Sequence, residues 1–281
     1  MTAPLRELLA EHPLGPPEGG KDAKGNLVIV GGAASCPGAA LLAGRAALRC
    51  GAGRVQLVVD PAVAAAVGAA LPEALVLGWA GGAAVPEAVE RRLRTAAAVV
   101  VGPGLDGGAP EMAVAASQCM DGGVLVVDAR SLPALTSDDL HAGPRRLAAP
   151  NPAEAAELLG EDEPDDADEA TVAELAARLA DVVGGPVAVR GEVSVVDDGG
   201  GQAWQERSSS PGLGTPGSGD VLIGALGGFL ARGASPLAAL GWAVAVHGAA
   251  GARLGRDRPV GFLASEVADD LPAALAALQR S

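Results

Sequence analysis

A carboxylate follows a glycine-rich loop in the stretch GTPGSGDVLIGALGGFLARG at residues 214–233. The loop has few side chains, and the apolar run after Asp220 predicts a helix that begins where the loop ends. Backbone N–H groups at such a helix start can bind an anion. An acid beside a bound anion indicates that a neighbouring group loses a proton there, so Asp220 is a candidate general base.

Asp220 also has a purely structural explanation. An acid in the first turn of a helix interacts favourably with the helix dipole, by roughly 0.3–1 kcal/mol. However, the three glycines and one proline at 214–219 make a bare backbone that costs conformational entropy on folding. Close approach by a ligand would offset that cost, and the residues alone leave both explanations open.

Four further side chains at predicted strand ends or in helices could carry chemistry. Asn151 and Glu154 flank a proline and form either a helix-capping box or a pair that organises water or magnesium near phosphate. Arg190 either contacts a nucleotide phosphate or lies in a solvated turn. His247, inside an Ala-rich helix, is interpreted as a buried or rim histidine rather than a catalytic base.

The elements that position these residues alternate between short β-branched runs and Ala-rich helical segments. This alternation predicts an α/β fold with a mostly parallel sheet that is buried on both faces. The predicted strands are 26–30, 54–59, 97–101, 124–128, 145–150 and 186–190, with 193–198 forming a hairpin with the last of them. The predicted helices are 38–50, one from about Pro61, 170–182, 218–232, 236–254 and 264–278.

Ligands of open parallel sheets bind beyond the carboxyl ends of the strands. The segments 31–40, 102–108, 151–154, 190–194 and 214–220 are therefore expected on one rim. The glycines after the first strand, at 31, 32 and 38, do not match the dinucleotide-binding fingerprint, which argues against a hydride-transfer enzyme of that type.

The composition bounds the class of protein. The 281 residues are 49% hydrophobic but only 2% aromatic, so the core must consist of Ala, Val and Leu. A formal net charge of −14 argues against nucleic acid or an anionic membrane as a partner. Three scattered cysteines indicate a reducing compartment. The Ala-rich stretches 62–85 and 235–252 are interrupted by proline, glycine or polar residues, so no membrane span is predicted, and a cytoplasmic location is expected.

In their order along the chain, these motifs resemble the ribokinase-like fold and, within it, the ADP/ATP-dependent NAD(P)H-hydrate dehydratases. The resemblance rests on KGNLVIVGGAASCPGAALLAGRAALRCGAGRVQLVV, VVVGPGL, VVDA, NPAEAAELLG, GSGDVLIGALGGFLARG, HGAAG and LASEVADDLP. It runs from about residue 24 to 275. It implies a three-layer α/β/α fold, a single domain over 1–281 with an extension at 1–23, and repair of hydrated NADH or NADPH at the expense of ADP or ATP with Mg²⁺.

The resemblance also implies roles for individual residues. Substrate-binding positions match Ala39, Gly104, Asn151 and Asp220. Nucleotide-binding positions match Arg190, Gly191, Glu192, Val193, Ser194 and Gly219. The N–H groups of Gly217, Ser218 and Gly219 would form the anion hole, Asp220 would be the catalytic base, and Glu154 would contact magnesium indirectly. A homo-oligomer such as a tetramer is expected.

The sequence departs from the family pattern at several of these positions. Asn151 stands where the family usually has histidine, and Arg190 replaces a usual lysine. Glu192 and Val193 replace small residues, and the loop before Asp220 has Gly-Ser-Gly instead of Gly-Thr-Gly. Two other functions therefore stay open: a small-molecule kinase of the same fold acting on a thiazole or pyrimidine alcohol, and a nucleotide-binding module without activity.

Overall fold

The computed structural model describes residues 2–15, 20, 25–82, 84–143, 145–207 and 210–280. Lys24 of the opening motif lies outside these ranges, as do residues 1, 16–19 and 21–23 of the extension at 1–23. The strands within them are β1 (Ala3–Pro4), β2 (Asn26–Val30), β3 (Arg54–Val59), β4 (Leu75–Gly78), β5 (Ala98–Val101), β6 (Val124–Val127), β7 (Arg145–Ala148), β8 (Val187–Val189), β9 (Val193–Asp197) and β10 (Ala203–Arg207).

The α-helices within the same ranges are α1 (Leu5–Glu11), α2 (Pro37–Arg49), α3 (Ala64–Ala70), α4 (Glu87–Arg94), α5 (Ala109–Gln118), α6 (Pro152–Leu158), α7 (Glu169–Val183), α8 (Ser218–Ala231), α9 (Pro236–Leu254) and α10 (Ala264–Leu278). Two short 3-10 helical segments, Ala129–Thr136 and Pro211–Gly214, lie between them. The helix predicted from about Pro61 begins at Ala64, and the other predicted helices match within one residue at each end.

A six-stranded parallel sheet, in the order β4-β3-β2-β5-β6-β7, forms the centre of the fold. Successive side chains of a strand point to opposite faces. Leu27 and Ile29 accordingly pack into one core with α2, α8, α9 and α10. Val28 and Val30 pack into a second core with residues of α4, α5, α6 and α7. The predicted three-layer arrangement with a mostly parallel sheet is confirmed.

The layer of helices over the first core is packed closely through small residues. Gly224 of α8 faces the backbone of α2, and a Cβ at this position would lie 2.2 Å from the carbonyl oxygen of Ala43. Only a glycine permits this separation. The Ala-rich, aromatic-poor composition therefore allows close contact between helix backbones.

A four-stranded sheet, β1-β10-β9-β8, continues the fold beyond β7. The predicted hairpin is confirmed, since β8 pairs antiparallel with β9. The Arg190 N–H after β8 donates to the Pro150 carbonyl after β7, with an N–O distance of 2.9 Å. This hydrogen bond brings the two strand ends to the same rim.

Three strands of the fold were absent from the sequence-based prediction. They are β1, β4 and β10. Strand β4 lies within an Ala-rich stretch whose pattern favours helix, and β10 has the sequence AWQER, which lacks β-branched residues. Pairing with neighbouring strands, rather than local propensity, determines these segments.

Helix α9 is the one helix among the described residues with the length and hydropathy that a membrane span needs. However, 67% of its most apolar window is buried inside the protein. Its apolar character is therefore accounted for by the core it occupies.

Candidate active site

The loops after the parallel strands meet at one rim, as expected. The Gly32 N–H donates to the Pro103 carbonyl and the Ala33 N–H to the Gly104 carbonyl, at 2.8 and 2.9 Å. Gly104 has φ +66°, and a Cβ there would lie 2.7 Å from the Cβ of Ala39. Ala39 and Gly104, both expected near substrate, are thus adjacent, and no larger side chain would fit at Gly104.

Helix α8 begins at Ser218, preceded by Gly217 in the left-handed conformation, with φ 86°. A Cβ at Gly217 would also lie 2.6 Å from Cδ1 of Leu42. Both the backbone conformation and the lack of space for a Cβ therefore require glycine at position 217. The turn leaves the first N–H groups of the helix directed out of its end.

The expected anion hole differs from the structure at one of its three positions. The Ser218 N–H donates to the Thr215 carbonyl at 3.2 Å, because the loop closes a turn there. The N–H groups of Gly217, Gly219 and Asp220 have no acceptor among the described residues. The donors available to an anion are therefore at 217, 219 and 220 rather than at 218.

Asp220 lies in the first turn of α8 and is half-buried. Burial raises the pKa of Asp220 to about 6, the positive charge of Arg190 opposes this rise, and the negative charge of Glu154 adds to it. A carboxylate with a pKa near neutrality accepts a proton more readily than an ordinary one. The environment of Asp220 thus suits a general base.

Arg190 lies at the centre of the rim and not in a solvated turn. Its Nε donates to the Ala149 carbonyl at 2.6 Å. Its Nη2 lies 3.6 Å from Oε2 of Glu154 and 3.7 Å from Oδ1 of Asp128. The guanidinium also covers Gly219, where a Cβ would lie 2.8 Å from Nη1. One fixed cation therefore lies against the helix start.

Asn151 and Glu154 form the capping box of α6. The Glu154 N–H donates to Oδ1 of Asn151, and the Asn151 N–H donates to Oε2 of Glu154, both at 2.8 Å. The structural explanation is therefore confirmed. The same contacts hold Glu154 beside Arg190, so the box also fixes a carboxylate at the rim.

Asp128 is a site residue that the sequence reasoning missed. It directly follows β6, is 2% exposed, and its Oδ1 has no hydrogen-bond partner. Burial raises the pKa of Asp128 to about 7, although the Arg190 charge opposes the rise. The next residue, Ala129, has φ 49°, a conformation that is uncommon for a residue other than glycine. The available signal was an acid at the end of the apolar strand in VVDA.

A cavity of about 700 Å³ opens on the other side of Gly219. Arg190, Gly191, Glu192 and Ser194 line it, as expected for a nucleotide-binding stretch. Val193 does not, because its side chain alternates to the opposite face of β9 and packs into the second core. Further lining residues include Ser218, Gly219, Leu213, Leu222, Val244 and His247.

Two residues of the cavity are held by partners that the sequence did not predict. Glu192 forms an exposed ion pair with Arg207 at 3.3 Å, so its charge is compensated outside the cavity. His247 is buried, as predicted, and its Nε2 lies 2.8 Å from Oγ of Ser218.

Comparisons with known proteins agree with this geometry. The family model described as NAD(P)H-hydrate dehydratase matches residues 27–273. An ADP-dependent (S)-NAD(P)H-hydrate dehydratase of Xanthomonas campestris is 39% identical, over 97% of this chain and 95% of that protein. The chain also matches a bifunctional NAD(P)H-hydrate repair enzyme of Moorella thermoacetica at 30% identity, over 93% of this chain and about half (51%) of that protein.

Solved structures give the same result. The ADP/ATP-dependent NAD(P)H-hydrate dehydratase of Bacillus subtilis, co-crystallized with ATP/Mg²⁺, superposes with a TM-score of 0.82, 25% identity and 99% coverage of both chains. A ribokinase-like superfamily protein of Enterococcus faecalis superposes with a TM-score of 0.82 at 22% identity, over 97% of this chain and 94% of that one. The latter likeness shows that the fold is ribokinase-like.

Proposed function

The chain belongs to the NAD(P)H-hydrate dehydratase family, and from that membership we propose that it is a lyase that returns (6S)-hydrated NADH or NADPH to the reduced cofactor, with ADP as co-substrate. The observation that carries this proposal is the start of α8. There a half-buried acid with its pKa raised to about 6 adjoins free backbone donors and a fixed arginine. The nucleotide follows from the name of the Xanthomonas relative.

The reaction uses Asp220 as the general base. The substrate is a dihydronicotinamide ring to which water has added, so it carries a hydroxyl. Asp220 takes the proton of that hydroxyl as the hydroxyl oxygen attacks the terminal phosphorus of ADP, the bond from that phosphorus to the bridging oxygen breaks, and AMP leaves. The N–H groups of Gly217 and Gly219 stabilise the charge that develops on the phosphate. The ring C–O bond then breaks, the oxygen leaves as part of inorganic phosphate, the ring loses a proton, and the double bond of the dihydronicotinamide is restored.

We assign the two ligands to the two sides of Gly219. The adenine nucleotide occupies the 700 Å³ cavity, which Arg190 to Glu192 and Ser194 line. The hydrated nicotinamide lies along the rim formed by Ala39, Gly104 and Asn151. Both then reach Asp220 at the start of α8, which places proton removal beside phosphate stabilisation.

Magnesium fits this arrangement if it enters with the nucleotide. Within the ranges that the structure describes, no three His, Cys, Asp or Glu side chains form a metal-binding group. Mg²⁺ bound to nucleotide phosphates needs only one or two protein carboxylates, and Glu154 would supply one at the rim, through water. When bound, the ion neutralises charge on the phosphates.

One assay tests the function against its alternatives. The purified protein is incubated with hydrated NADH, magnesium and either ADP or ATP, and absorbance is followed at the band of the reduced cofactor. Recovery of the band, faster with ADP, is expected. Consumption of ATP only with a thiazole or pyrimidine alcohol would identify a kinase, and nucleotide binding without any turnover would identify an inactive module.

The cytoplasmic location and the absence of nucleic acid or membrane partners stay predictions from composition. The homo-oligomeric state is also proposed from the family. Light scattering at micromolar concentration is expected to give a mass several times the 27.4 kDa of the chain, and a monomer would refute the assembly.

A further inference from the structure

His247 and Ser218 form a buried polar pair at the point where the cavity meets the start of α8. The imidazole Nε2 lies 2.8 Å from the Ser218 hydroxyl oxygen. Exposure is 9% for His247 and 5% for Ser218, and both residues line the cavity. The mechanism above uses neither side chain.

The backbone of Ser218 cannot serve an incoming anion as its neighbours can. Its N–H already donates to the Thr215 carbonyl, whereas the N–H groups of Gly217 and Gly219 have no acceptor among the described residues. Any contribution of Ser218 to anion binding must therefore come from its hydroxyl. A hydroxyl rotates freely unless a partner fixes it.

His247 is suited to fix that hydroxyl in one orientation. Burial, and secondarily the charge of Arg190, lower the pKa of His247 to about 4. The ring is therefore neutral at physiological pH, with one nitrogen that donates and one that accepts. If Nε2 carries the proton and donates to Oγ, the hydroxyl hydrogen of Ser218 is left to point at a ligand in the cavity.

We propose that His247 is a positioning residue for nucleotide binding: its Nε2–H donates to Oγ of Ser218, and the Ser218 O–H then donates to a phosphate oxygen of the bound nucleotide. This deepens the proposed function, on which it rests for the choice of ADP as the ligand. It also explains why a histidine occupies a helix that, apart from Arg253 in its last turn, is built of apolar and small residues.

The test is a double-mutant cycle on ADP affinity, measured by titration calorimetry without the hydrated substrate. Ser218→Ala and His247→Leu are each expected to raise the Kd for ADP about tenfold or more, the scale for loss of a hydrogen bond to a charged group. In the Ser218→Ala background, His247→Leu should change Kd by less than about twofold, because the hydroxyl that it positions is gone. His247→Gln, whose amide can donate near the Nε2 position, should recover most of the affinity.

A matched control separates positioning from packing. Ser117 is a fully buried serine of α5 whose hydroxyl donates to the Val114 carbonyl. Ser117→Ala should lower the melting temperature without changing the Kd for ADP. If His247→Leu does not fold, His247→Asn takes its place in the cycle, because its shorter amide does not reach Oγ.

The outcomes distinguish this inference from the proposed function. Effects of Ser218→Ala and His247→Leu that multiply in the double variant, or an unchanged Kd in either single variant, would overturn the positioning role. A wild-type protein that binds ADP and shows the cycle but does not restore hydrated NADH would refute only the proposed function. Failure of wild-type protein to bind ADP would overturn both.

Discussion

Asp220 has the two properties that a general base at this site needs. It lies beside the free N–H groups that can hold a phosphate, and its pKa is raised to about 6 by burial. At pH 7 the carboxylate is ionised, and its pKa is close enough to 7 for it to accept a proton from the substrate. Its place in the first turn of α8 also satisfies the helix dipole, so the structural and catalytic explanations are compatible.

Asp220→Asn separates these two explanations. Loss of a general base typically costs about 10²–10⁴ in rate, so turnover of hydrated NADH should fall by that range. Because the raised pKa makes the ionised form unfavourable in the folded state, the free energy of unfolding at pH 7 should be unchanged or higher. Steady-state kinetics measures the turnover, and chemical denaturation measures the free energy of unfolding. A variant that is less stable but turns over at the wild-type rate would contradict the mechanism.

The pKa of the same group predicts the pH profile of the enzyme. Because the base must be ionised, kcat/KM should fall as pH decreases through about 6. The pH profile of kcat/KM, with ADP saturating, measures this midpoint. A profile that stays flat down to pH 4.5 would show that the essential carboxylate has an ordinary pKa, which would exclude Asp220 in this environment.

Asp128 gives a prediction of stability rather than turnover. Its folded-state pKa of about 7 lies above the ordinary value, so its contribution favours folding below about pH 4 and is lost as pH rises through 7. Asp128→Asn removes the ionised form and should stabilise the protein at pH 8, on the order of 2 kcal/mol. The gain should vanish near pH 4, where the native carboxyl is also neutral.

Thermal or denaturant unfolding at both pH values measures the Asp128 effect. Asp162→Asn, in the acidic loop before α7, is the control, since an exposed acid should change stability by less than about 0.5 kcal/mol at either pH. A gain for Asp128→Asn that is equal at pH 4 and pH 8 would show that packing, not ionisation, is responsible.

At the scale of elements, the sequence was informative where local pattern and tertiary structure agree. The parallel strands, the hairpin and the three C-terminal helices follow from periodicity, and the capping box at Asn151 follows from residue type and spacing. Strands β4 and β10 do not follow from periodicity. Their sequences have little strand propensity, and pairing with neighbouring strands makes them extended. Asp128 was missed for a similar reason, since its significance comes from Arg190, which is 62 positions away in the chain.

The contact between α2 and α8 depends on glycine at one position. A Cβ at Gly224 would lie 2.2 Å from the Ala43 carbonyl oxygen, which is backbone and cannot rotate away. Gly224→Ala should therefore force the helices apart and destabilise the protein by about 3 kcal/mol, at the upper end for overpacking. Chemical denaturation measures the loss.

The matched control for Gly224 is Gly68 in α3. A Cβ there would make only ordinary contact, 3.7 Å from Cγ2 of Val76. Gly68→Ala should leave stability unchanged or raise it by up to about 1 kcal/mol through helix propensity. Equal effects of the two substitutions would show that α2 and α8 can separate without cost.

For the molecule as a whole, a net charge of −14 makes the rim an exception to the rest of the surface. An anionic nucleotide is repelled by the global charge, so binding depends on Arg190 and on backbone N–H groups at the start of α8. Composition predicts that a phosphate site must be built locally. Composition cannot predict that the carboxylates of Asp128 and Glu154 both lie beside the Arg190 guanidinium, because these residues come together only when three strand ends meet.

The N-terminal segment connects the four-stranded sheet to the helical layer. Leu8 of α1 is fully buried and packs where Gly241 of α9 leaves space, and a Cβ at Gly241 would lie 2.7 Å from its Cδ2. Strand β1, directly before α1, pairs with β10, and the Trp242 Nε1–H donates to the His12 carbonyl at 2.9 Å. The sequence treats these residues as an extension, whereas the structure makes them part of the core.

Leu8→Ala tests whether the extension stabilises the whole protein. Removing a buried leucine typically costs about 2–5 kcal/mol, which corresponds to a fall of roughly 4–20 °C in melting temperature at about 2–4 °C per kcal/mol. Leu75, which is 42% exposed, is the control, and Leu75→Ala should shift the melting temperature far less. Because α1 lies outside the cavity lining and the rim, kcat and KM at 20 °C should stay at wild-type values. If Leu8→Ala has the same melting temperature as the wild type, the residues before β2 do not contribute to the stability of the core. If the variant folds but has lost ADP affinity, β1 and β10 determine the shape of the nucleotide cavity.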